Sequence, residues 1–238
     1  MKFFYLLVFL CFSSIGFSQE IKTVYFLPGQ GSDARIFDSL KLDTNYTIRH
    51  LRYDTLTSKM NMKELAEKLA VNIDTTEGFA LVGVSLGGML CVELSEMLNP
   101  EKVVIISSAK NRKELPVRYR FQKAIPLYAV FPSRLIAWGA KTLQPIVEPD
   151  RDQNEATFKS MLEKKNEQYL KYSVRMIIRW ERKANTSNLI HIHGSNDHTI
   201  PIRNIDSTDF VIENGSHMMA LTKGEEIGGI LNRILNMH

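Results

Sequence analysis

A serine between two glycines, in the run Gly83-Val84-Ser85-Leu86-Gly87, is the pattern with the clearest chemical meaning in this chain. A serine hydroxyl is a poor nucleophile at neutral pH. It needs a base to take its proton, and the base needs an acid to orient it. The chain offers both groups after the serine, in the order Ser85, Asp197, His217. This set of residues indicates nucleophilic catalysis if the fold brings the three side chains together.

The residues around Ser85 predict a sharp turn between a buried strand and a helix. An apolar run at 79–82 precedes the motif, and apolar residues at helical spacing follow it as far as Asn99-Pro100. The members of that helical stripe are Met89, Leu90, Leu94, Met97 and Leu98. A G-x-S-x-G serine in this context is presented as a nucleophile. We expect a side chain at either glycine to crowd the serine, and the helix N-terminus to favour developing negative charge.

Asp197 and His217 each follow a predicted strand. Asp197 comes after the strand predicted at 189–193 and the loop Gly194-Ser195-Asn196. His217 comes after the strand predicted at 209–212 and the loop Asn214-Gly215-Ser216. Because loops at the carboxyl ends of parallel strands share one edge of a sheet, we expect these side chains to converge there.

Short apolar segments alternate with amphipathic ones along most of the chain. The predicted strands cover residues 23–27, 46–53, 79–82, 102–107, 189–193 and 209–212. Helices are predicted at 33–40, at 61–73 with Asn61 and Glu64 as a capping box, after Ser85, and near the C-terminus. The alternation predicts an α/β fold with a mostly parallel, roughly six-stranded sheet and helices on both faces.

The alternation breaks between residues 109 and 184, which read as helices and loops. We therefore predict one domain over residues 19–238, with a helical cap inserted at about 110–186 over the carboxyl edge of the sheet. Large apolar residues lie among basic ones in its first half: Tyr119, Phe121, Ile125, Leu127, Tyr128, Phe131, Leu135, Ile136 and Trp138. They either pack on the apolar pattern of residues 158–178 or line an apolar acyl pocket above Ser85.

Three motifs in order resemble the serine branch of the α/β-hydrolase fold, an esterase- and lipase-like group with a helical cap. They are Gly83-Val84-Ser85-Leu86-Gly87, His193-Gly194-Ser195-Asn196-Asp197 with Pro201 after it, and Gly215-Ser216-His217. The resemblance implies that Ser85 is the nucleophile, Asp197 the orienting acid and His217 the general base. It further implies an oxyanion hole formed by the backbone N–H groups of Leu86 and Gln30.

The chain departs from that family pattern at two places near its start. The first loop of the family often reads His-Gly, whereas here it reads Pro28-Gly29-Gln30-Gly31. The two strands that usually open the fold are also absent from the pattern, because the first predicted strand follows the N-terminal segment almost directly. The sheet is therefore expected to be a minimal, six-stranded version.

The resemblance and the three residues together predict hydrolysis of a carboxylic ester through an acyl-enzyme, with a small, apolar acyl substrate and no cofactor. The same residues would serve a thioester, lactone, amide or carbon–carbon bond substrate, because a fold does not fix the substrate. The alternative function is a non-catalytic ligand-binding or interaction protein on the α/β-hydrolase fold. Hydrolysis of a short-chain chromogenic ester distinguishes the two.

A metal site is a competing interpretation of one part of the chain. His191, His193, Asp197 and His198 resemble the histidine-rich loops that bind two metal ions, but two additional residues widen the spacing. His191 and His193 alternate along a predicted strand, so both point to one face and fit a buried core. No further cluster of ligands completes a site. We therefore predict no metal.

The remaining sequence features bear on location and partners. Residues 1–18 read as a cleaved secretory signal ahead of Gln19, which predicts an exported, periplasmic or secreted protein. Cys91 is then the one cysteine of the mature chain, so no internal disulfide is expected. The formal net charge of +4 is too small to argue for nucleic acid. Basic residues cluster between Arg112 and Arg134, either as a solvated face or as a surface attracted to an anionic membrane or an anionic substrate.

Overall fold

The computed structural model describes residues 19–147, 154–184 and 188–237, and the predicted signal segment at 1–18 lies outside them. Six strands form one sheet in the order β2-β1-β3-β4-β5-β6, and every neighbouring pair is parallel. The strands are β1 Ile21–Leu27, β2 Thr47–His50, β3 Gly78–Val84, β4 Lys102–Ile106, β5 Ile190–Gly194 and β6 Phe210–Ile212. The predicted α/β fold with a minimal six-stranded sheet is confirmed.

Helices cover both faces of this sheet. They are α1 Met62–Ala70, α2 Leu86–Leu98, α3 Val117–Phe121, α4 Leu127–Val130, α5 Ser133–Val147, α6 Glu155–Glu163, α7 Glu167–Ile178, α8 Met219–Thr222 and α9 Gly224–Leu235. Short 3₁₀ turns lie at Ala34–Phe37, Arg112–Glu114 and Ile202–Asn204. Helices α1 and α2 pack on one face, while α8, α9 and the Ala34–Phe37 turn pack on the other.

The strands are buried because apolar side chains fill both of their faces. In β3 the side chains of Leu81 and Val82 point to opposite faces and join separate core clusters. Val82 lies opposite Phe26 of β1 and Val104 of β4 in the parallel register. A continuous apolar run is the expected sequence of a parallel strand covered on both sides.

Three elements near the N-terminus are shorter than the sequence predicts. The strand predicted at 46–53 pairs only over Thr47–His50, because it lies at the sheet edge with exposed side chains and leaves the ladder at Leu51. The helix predicted at 33–40 is a single 3₁₀ turn. There the Asp33 side chain caps Arg35 N and Ile36 and Phe37 turn inward. The helix predicted at 61–73 is α1, and the capping box of Asn61 and Glu64 is present at its start.

Helix α2, which begins directly after Ser85, is buried on nearly all sides along its first ten residues instead of along one stripe. The reason is that residues at the end of the β4-to-β5 connection cover the side of α2 that the sheet and α1 leave open. The buried carboxylate of Glu93 accepts hydrogen bonds from Trp180 Nε1 at 2.8 Å and from Arg182 Nε at 3.0 Å. These bonds fasten the end of the β4-to-β5 connection onto α2.

The connection from β4 to β5 contains helices α3 to α7, which fall into two groups. Helices α6 and α7 bury the apolar residues of the 158–178 pattern: Phe158, Met161, Leu162, Tyr169, Leu170, Ile177 and Ile178. All of these except Ile178 belong to the two core clusters. Helices α3, α4 and α5 bury Tyr128 and Ala137 but leave Phe121 and Trp138 largely exposed. Within the described part of the chain, no helix combines the length and the apolar character that crossing a bilayer requires.

Candidate active site

Ser85 occupies a strained turn between β3 and α2. Its φ of 52° and ψ of −118° lie in a region that residues other than glycine rarely adopt, at a strain of about 1–3 kcal/mol. The flanking glycines allow the turn because there is no room for side chains. A Cβ at Gly83 would come within 2.4 Å of the Gly87 carbonyl, and a Cβ at Gly87 within 2.0 Å of Leu27 O. The expected crowding is therefore with backbone atoms and not with the serine itself.

Backbone and side-chain contacts hold this turn in place. Ser85 N donates to Ile106 O at 2.9 Å, and Ser108 Oγ donates to Ser85 O at 2.6 Å. Leu86 is the first residue of α2, and an N–H group in that position has no partner within its own helix. The Leu86 N–H and the positive end of α2 therefore lie next to the Ser85 hydroxyl.

A chain of hydrogen bonds joins the three residues that the sequence singles out. Ser85 Oγ lies 2.8 Å from His217 Nε2, and His217 Nδ1 lies 2.8 Å from Asp197 Oδ2. The exposed fractions are only 8% for Ser85, 6% for His217 and 3% for Asp197. Because a carboxylate only accepts, His217 Nδ1 carries the proton and Nε2 accepts from the serine hydroxyl.

The carboxylate of Asp197 is fixed at both of its oxygens. Oδ1 accepts the backbone N–H groups of Thr199 at 2.8 Å and Ile200 at 2.7 Å, which leaves Oδ2 facing His217. Burial disfavours the charged form, but the adjacent His217 and these hydrogen bonds outweigh it. The pKa of Asp197 therefore lies below its usual value. The group is an anion throughout the neutral range.

Two glycines bring the loops of Asp197 and His217 into contact. A Cβ at Gly194 would lie 2.2 Å from Gly215 O, so the two loops can approach this closely only without a side chain there. Asn196 N donates to the same Gly215 carbonyl at 3.0 Å. The carboxyl ends of β5 and β6 are thus joined by their backbones, and this contact sets the separation of the acid and the histidine.

The loop Pro28-Gly29-Gln30-Gly31, at the carboxyl end of β1, lies directly against Ser85. A Cβ at Gly29 would be 3.2 Å from Ser85 Cβ, and Gly31 has a φ of +79°. The Gln30 side chain reaches α7. There Nε2 donates to Ser173 Oγ at 2.8 Å and to Leu170 O at 3.2 Å. These bonds fasten the loop to α7.

His191 and His193 lie behind the acid, and both are buried. His193 Nε2 donates to Ile200 O at 2.8 Å and lies 3.4 Å from Asp197 Oδ2. Its Nδ1 therefore accepts from His191 Nε2 at 3.0 Å. Burial lowers the pKa of His193, and it holds the pKa of His191 well below the usual value. Both rings are neutral, and both point to one face of β5 as the alternation predicts.

The structure does not gather the four residues of the metal interpretation. His198 is exposed, and its Nε2 pairs with Asn196 Oδ1 at 2.9 Å, away from the buried rings of His191 and His193. Among residues 19–147, 154–184 and 188–237, no group of three histidine, cysteine, aspartate or glutamate side chains is arranged to hold a metal ion. Cys91 is a free, fully buried thiol inside α2, and burial raises its pKa.

Several contacts of the site were not found from the sequence. They are the bond from Ser108 to Ser85 O, the contact of His193 with Asp197, and the link from Gln30 to Ser173. The only sequence signal for any of them is the His-x-His alternation in β5. A cleft of about 380 Å³ is lined by Pro28, Arg35, Tyr53 and Lys164 among other residues, and neither Ser85 nor His217 lines it.

Comparisons with known proteins identify the architecture. No family model and no curated protein matches the sequence. Among solved structures, the enol-lactonase from Burkholderia xenovorans LB400 has a TM-score of 0.69 at 11% sequence identity, over 91% of this chain and 92% of that one. The hydrolase olei00960 from Oleispira antarctica has a TM-score of 0.69 at 13% identity, with the same two coverages.

A thermophilic esterase from Thermogutta terrifontis gives a TM-score of 0.63 at 12% identity, over 92% of this chain and 90% of that one. The fold of this chain is therefore that of the α/β-hydrolases, which confirms the resemblance inferred from the three motifs. These structural neighbours are esterases and other hydrolases.

Proposed function

We propose that this protein is a serine hydrolase that cleaves a carboxylic ester through an acyl-enzyme intermediate. The observation that carries the proposal is the continuous chain of two 2.8 Å hydrogen bonds from Ser85 through His217 to Asp197. Such a chain lets one imidazole take the proton of a serine hydroxyl while a buried anion stabilises the resulting imidazolium.

In the first half of the reaction, Ser85 Oγ attacks the carbonyl carbon of the ester and its proton passes to His217 Nε2. The carbonyl oxygen becomes an oxyanion that accepts hydrogen bonds from the backbone N–H groups of Leu86 and Gln30. The tetrahedral intermediate collapses and the ester C–O bond breaks. The departing alkoxide oxygen takes the proton from His217, which leaves a neutral alcohol and an acylated Ser85.

In the second half, His217 Nε2 takes a proton from a water molecule, whose oxygen attacks the acyl carbon. The same two N–H groups stabilise the second oxyanion. The bond to Ser85 Oγ then breaks, the serine oxygen recovers the proton from His217, and a carboxylic acid leaves. Asp197 stays ionised throughout, and its charge is worth most when His217 is protonated.

Two observations support an ester with an apolar acyl group. The structural neighbours include proteins described as an esterase and an enol-lactonase, both of which act on carboxylic ester bonds. The loop beside Ser85 also lies against an apolar side chain, because a Cβ at Gly31 would lie 3.1 Å from Leu162. Methylene groups of a substrate gain about 0.8 kcal/mol each when they are buried against such a surface.

The rival function is a binding protein that keeps the α/β-hydrolase fold without turnover. The strained backbone of Ser85 favours the enzyme. A residue at φ 52° persists only where the surroundings over-determine it, and such strain is typical of reactive sites. Turnover of a chromogenic ester separates the two functions directly.

Replacement of Ser85 by alanine tests the proposal. The protein should hydrolyse p-nitrophenyl esters and react with a fluorophosphonate probe. Ser85→Ala should abolish the labelling and lower kcat by about 10⁴-fold or more, because no other group supplies the nucleophile. Active-site titration, ester hydrolysis and mass spectrometry of the labelled peptide provide the measurements.

The matched control is Ser95→Ala. Ser95 is a buried serine of α2, the helix that follows Ser85, and its Oγ donates to Val92 O. Removal of the Ser95 hydroxyl should leave labelling and kcat unchanged. Labelling that persists in Ser85→Ala would place the nucleophile elsewhere. An absence of turnover by the folded protein towards every ester tested would favour the binding protein.

A further inference from the structure

The exposed apolar side chains of this protein are concentrated in one short part of the chain. Twelve large hydrophobic residues are exposed among the described residues, and eight of them lie between residues 117 and 138. These eight form what we call the apolar patch: Val117, Phe121, Ile125, Leu127, Val130, Phe131, Leu135 and Trp138. Their exposed fractions range from 43% to 80%, and a soluble surface rarely concentrates large apolar groups in this way.

The helices that carry the patch are held in place from behind. Tyr128 of α4 is buried, and its hydroxyl accepts from Arg179 Nε at 2.8 Å. Lys171 Nζ of α7 donates to Phe131 O at 2.9 Å. On α5, Leu135 and Trp138 are three residues apart and share a face, while Ala137 is buried. The helices that carry the exposed side chains are therefore anchored to the rest of the fold.

The same segment is exclusively basic. Residues 115–147 contain Arg118, Arg120, Lys123, Arg134 and Lys141 and neither aspartate nor glutamate, which gives a formal charge of +5. The whole chain carries +4 from 30 basic and 26 acidic residues, so the rest of it carries 25 − 26, or −1. Two acidic residues of neighbouring segments approach these cations. Glu181 lies 2.6 Å from Lys123 Nζ, and Glu167 lies 3.8 Å from Arg134 Nε.

We propose that the surface formed by α3, α4 and α5 binds peripherally to an anionic lipid bilayer. The apolar patch would enter the interfacial region, and the surrounding cations would contact lipid headgroups. Large apolar groups interleaved with arginine and lysine are the pattern that such an interface attracts. The long stems of the basic residues allow their charges to reach the headgroups while the patch is buried.

Charge favours an anionic bilayer over a second copy of the chain as the partner of this surface. Two such faces, each carrying basic residues in excess, repel each other when they approach, whereas an anionic surface attracts each of them. The inference also stands independently of the proposed reaction. It uses none of Ser85, Asp197 and His217, and vesicle binding can be measured in a Ser85→Ala variant.

Vesicle binding tests the proposal, and the protein carries its own probe. The chain has two tryptophans. Trp138 is 62% exposed in the patch, and Trp180 is 3% exposed and bonded to Glu93. Vesicles of phosphatidylglycerol and phosphatidylcholine in equal parts should pellet the protein and shift the Trp138 emission to the blue. Vesicles of phosphatidylcholine alone should bind more weakly, and added salt should weaken binding to the anionic vesicles.

Two pairs of variants distinguish binding through the apolar patch from non-specific adsorption to vesicles. Val130→Ser should lower the partition coefficient about tenfold, whereas Val71→Ser should not change it. Val130 is 80% exposed in the patch, and Val71 is 83% exposed elsewhere. Arg120→Gln should lower partitioning about fivefold, and Lys63→Gln on α1 should not. All proteins compared are the expected exported form that begins at Gln19, so the apolar run of residues 1–18 adds no membrane affinity of its own.

Three results would overturn the proposal. They are no pelleting by anionic vesicles, equal and salt-independent binding to neutral vesicles, and equal losses in Val130→Ser and Val71→Ser. Sedimentation equilibrium adds a fourth. A dimer that dissociates in Val130→Ser would assign the patch to a second copy of the chain. A fold check by circular dichroism accompanies each variant, and the exposed sites make unfolding an unexpected outcome.

Discussion

The carboxylate of Asp197 determines which nitrogen of His217 carries a proton. Thr199 and Ile200 both donate backbone N–H groups to Oδ1, so that position accepts only an oxygen. The other oxygen, Oδ2, faces His217 Nδ1 at 2.8 Å and requires a proton on that nitrogen. Nε2 is then free of a proton and accepts from Ser85 at 2.8 Å. The backbone N–H groups of Thr199 and Ile200 therefore determine, through Asp197, which nitrogen of His217 carries the proton.

This arrangement gives a sharp prediction for Asp197→Asn. The amide oxygen should take the Oδ1 position, because Thr199 and Ile200 donate there, and the NH₂ group should face His217. The histidine is then forced to the tautomer with the proton on Nε2, which cannot accept from Ser85. We expect kcat for ester hydrolysis to fall about 10⁴-fold with the fold intact. Nitrogen NMR of His217 should report the changed tautomer.

The control for this change is Asp206→Asn, which removes the same charge from an exposed residue of the next loop. It should leave kcat and the His217 signals as they are. An Asp197→Asn variant that retained near-full activity would move the orienting acid to another residue.

The residues of the site differ in how far the sequence predicts them. Ser85 is predictable because the two glycines that its turn requires, Gly83 and Gly87, flank it in the sequence, although Gly87 is required by its close approach to Leu27 O of β1. The contacts of Ser108 and Ser173 are not, because each depends on a partner far along the chain that only the folded sheet brings near. The sequence motif thus indicates the turn at Ser85, whereas the contacts that support it depend on tertiary packing.

Among the helices and strands, the buried ones were predicted most closely. β3 and β4 are continuous apolar runs that both cores require, and their sequence pattern leaves few alternatives. β2 was overestimated because its alternation continues into Leu51 and Tyr53, which are buried but lie beyond the last ladder pair at His50. The exposed side of α3 to α5 was also unforeseen, since amphipathic helices indicate burial without saying against what.

Helix α9 offers a matched test of how closely it packs. Gly228 lies against the backbone of Lys41, because a Cβ there would be 2.9 Å from Lys41 N and 3.1 Å from Lys41 O. A Cβ at Gly229 would have no atom within 4 Å. Gly229→Ala should raise the free energy of unfolding by up to about 1 kcal/mol, because alanine favours a helix over glycine. Gly228→Ala should lower it by about 1–3 kcal/mol, because the backbone of Lys41 must move.

Urea denaturation of the two variants and the wild type measures both effects. The helix lies away from Ser85, so ester hydrolysis at a temperature where all three proteins are folded should be equal. Equal stabilities of the two variants would show that α9 shifts without resistance and that the close approach at Lys41 contributes little.

Over the whole molecule, the excess of positive charge lies in a different part of the chain from Ser85, Asp197 and His217. Residues 115–147 carry +5 and the rest of the chain −1, while Ser85, His217 and Asp197 are nearly buried. The hydrogen bond from Gln30 to Ser173 connects the loop beside Ser85 to α7, and α7 supports α4 through Arg179 and Lys171. One set of helices therefore touches the site on its inner side and presents the apolar patch on its outer side.

The buried histidines give the whole fold a dependence on pH. Burial lowers the pKa of His193 and holds that of His191 well below the usual value, while an unfolded chain binds these protons near pH 6.5. Below about pH 6.5 the unfolded state therefore binds more protons than the folded state, and stability falls as pH falls. Asp197 acts in a lower window, because its lowered pKa places its loss of stability below about pH 4.

We therefore expect the free energy of unfolding to decline between about pH 6.5 and 5, and His191→Gln to flatten that decline. A pKa difference of one between the two states corresponds to about 1.4 kcal/mol, so urea denaturation at several pH values resolves the slope. The slope is the readout, because glutamine changes the packing equally at every pH. His198→Gln, at an exposed histidine, should retain the wild-type slope. Equal slopes in His191→Gln and the wild type would mean that His191 binds its proton equally in the folded and unfolded states, and the acid sensitivity would then belong to other groups.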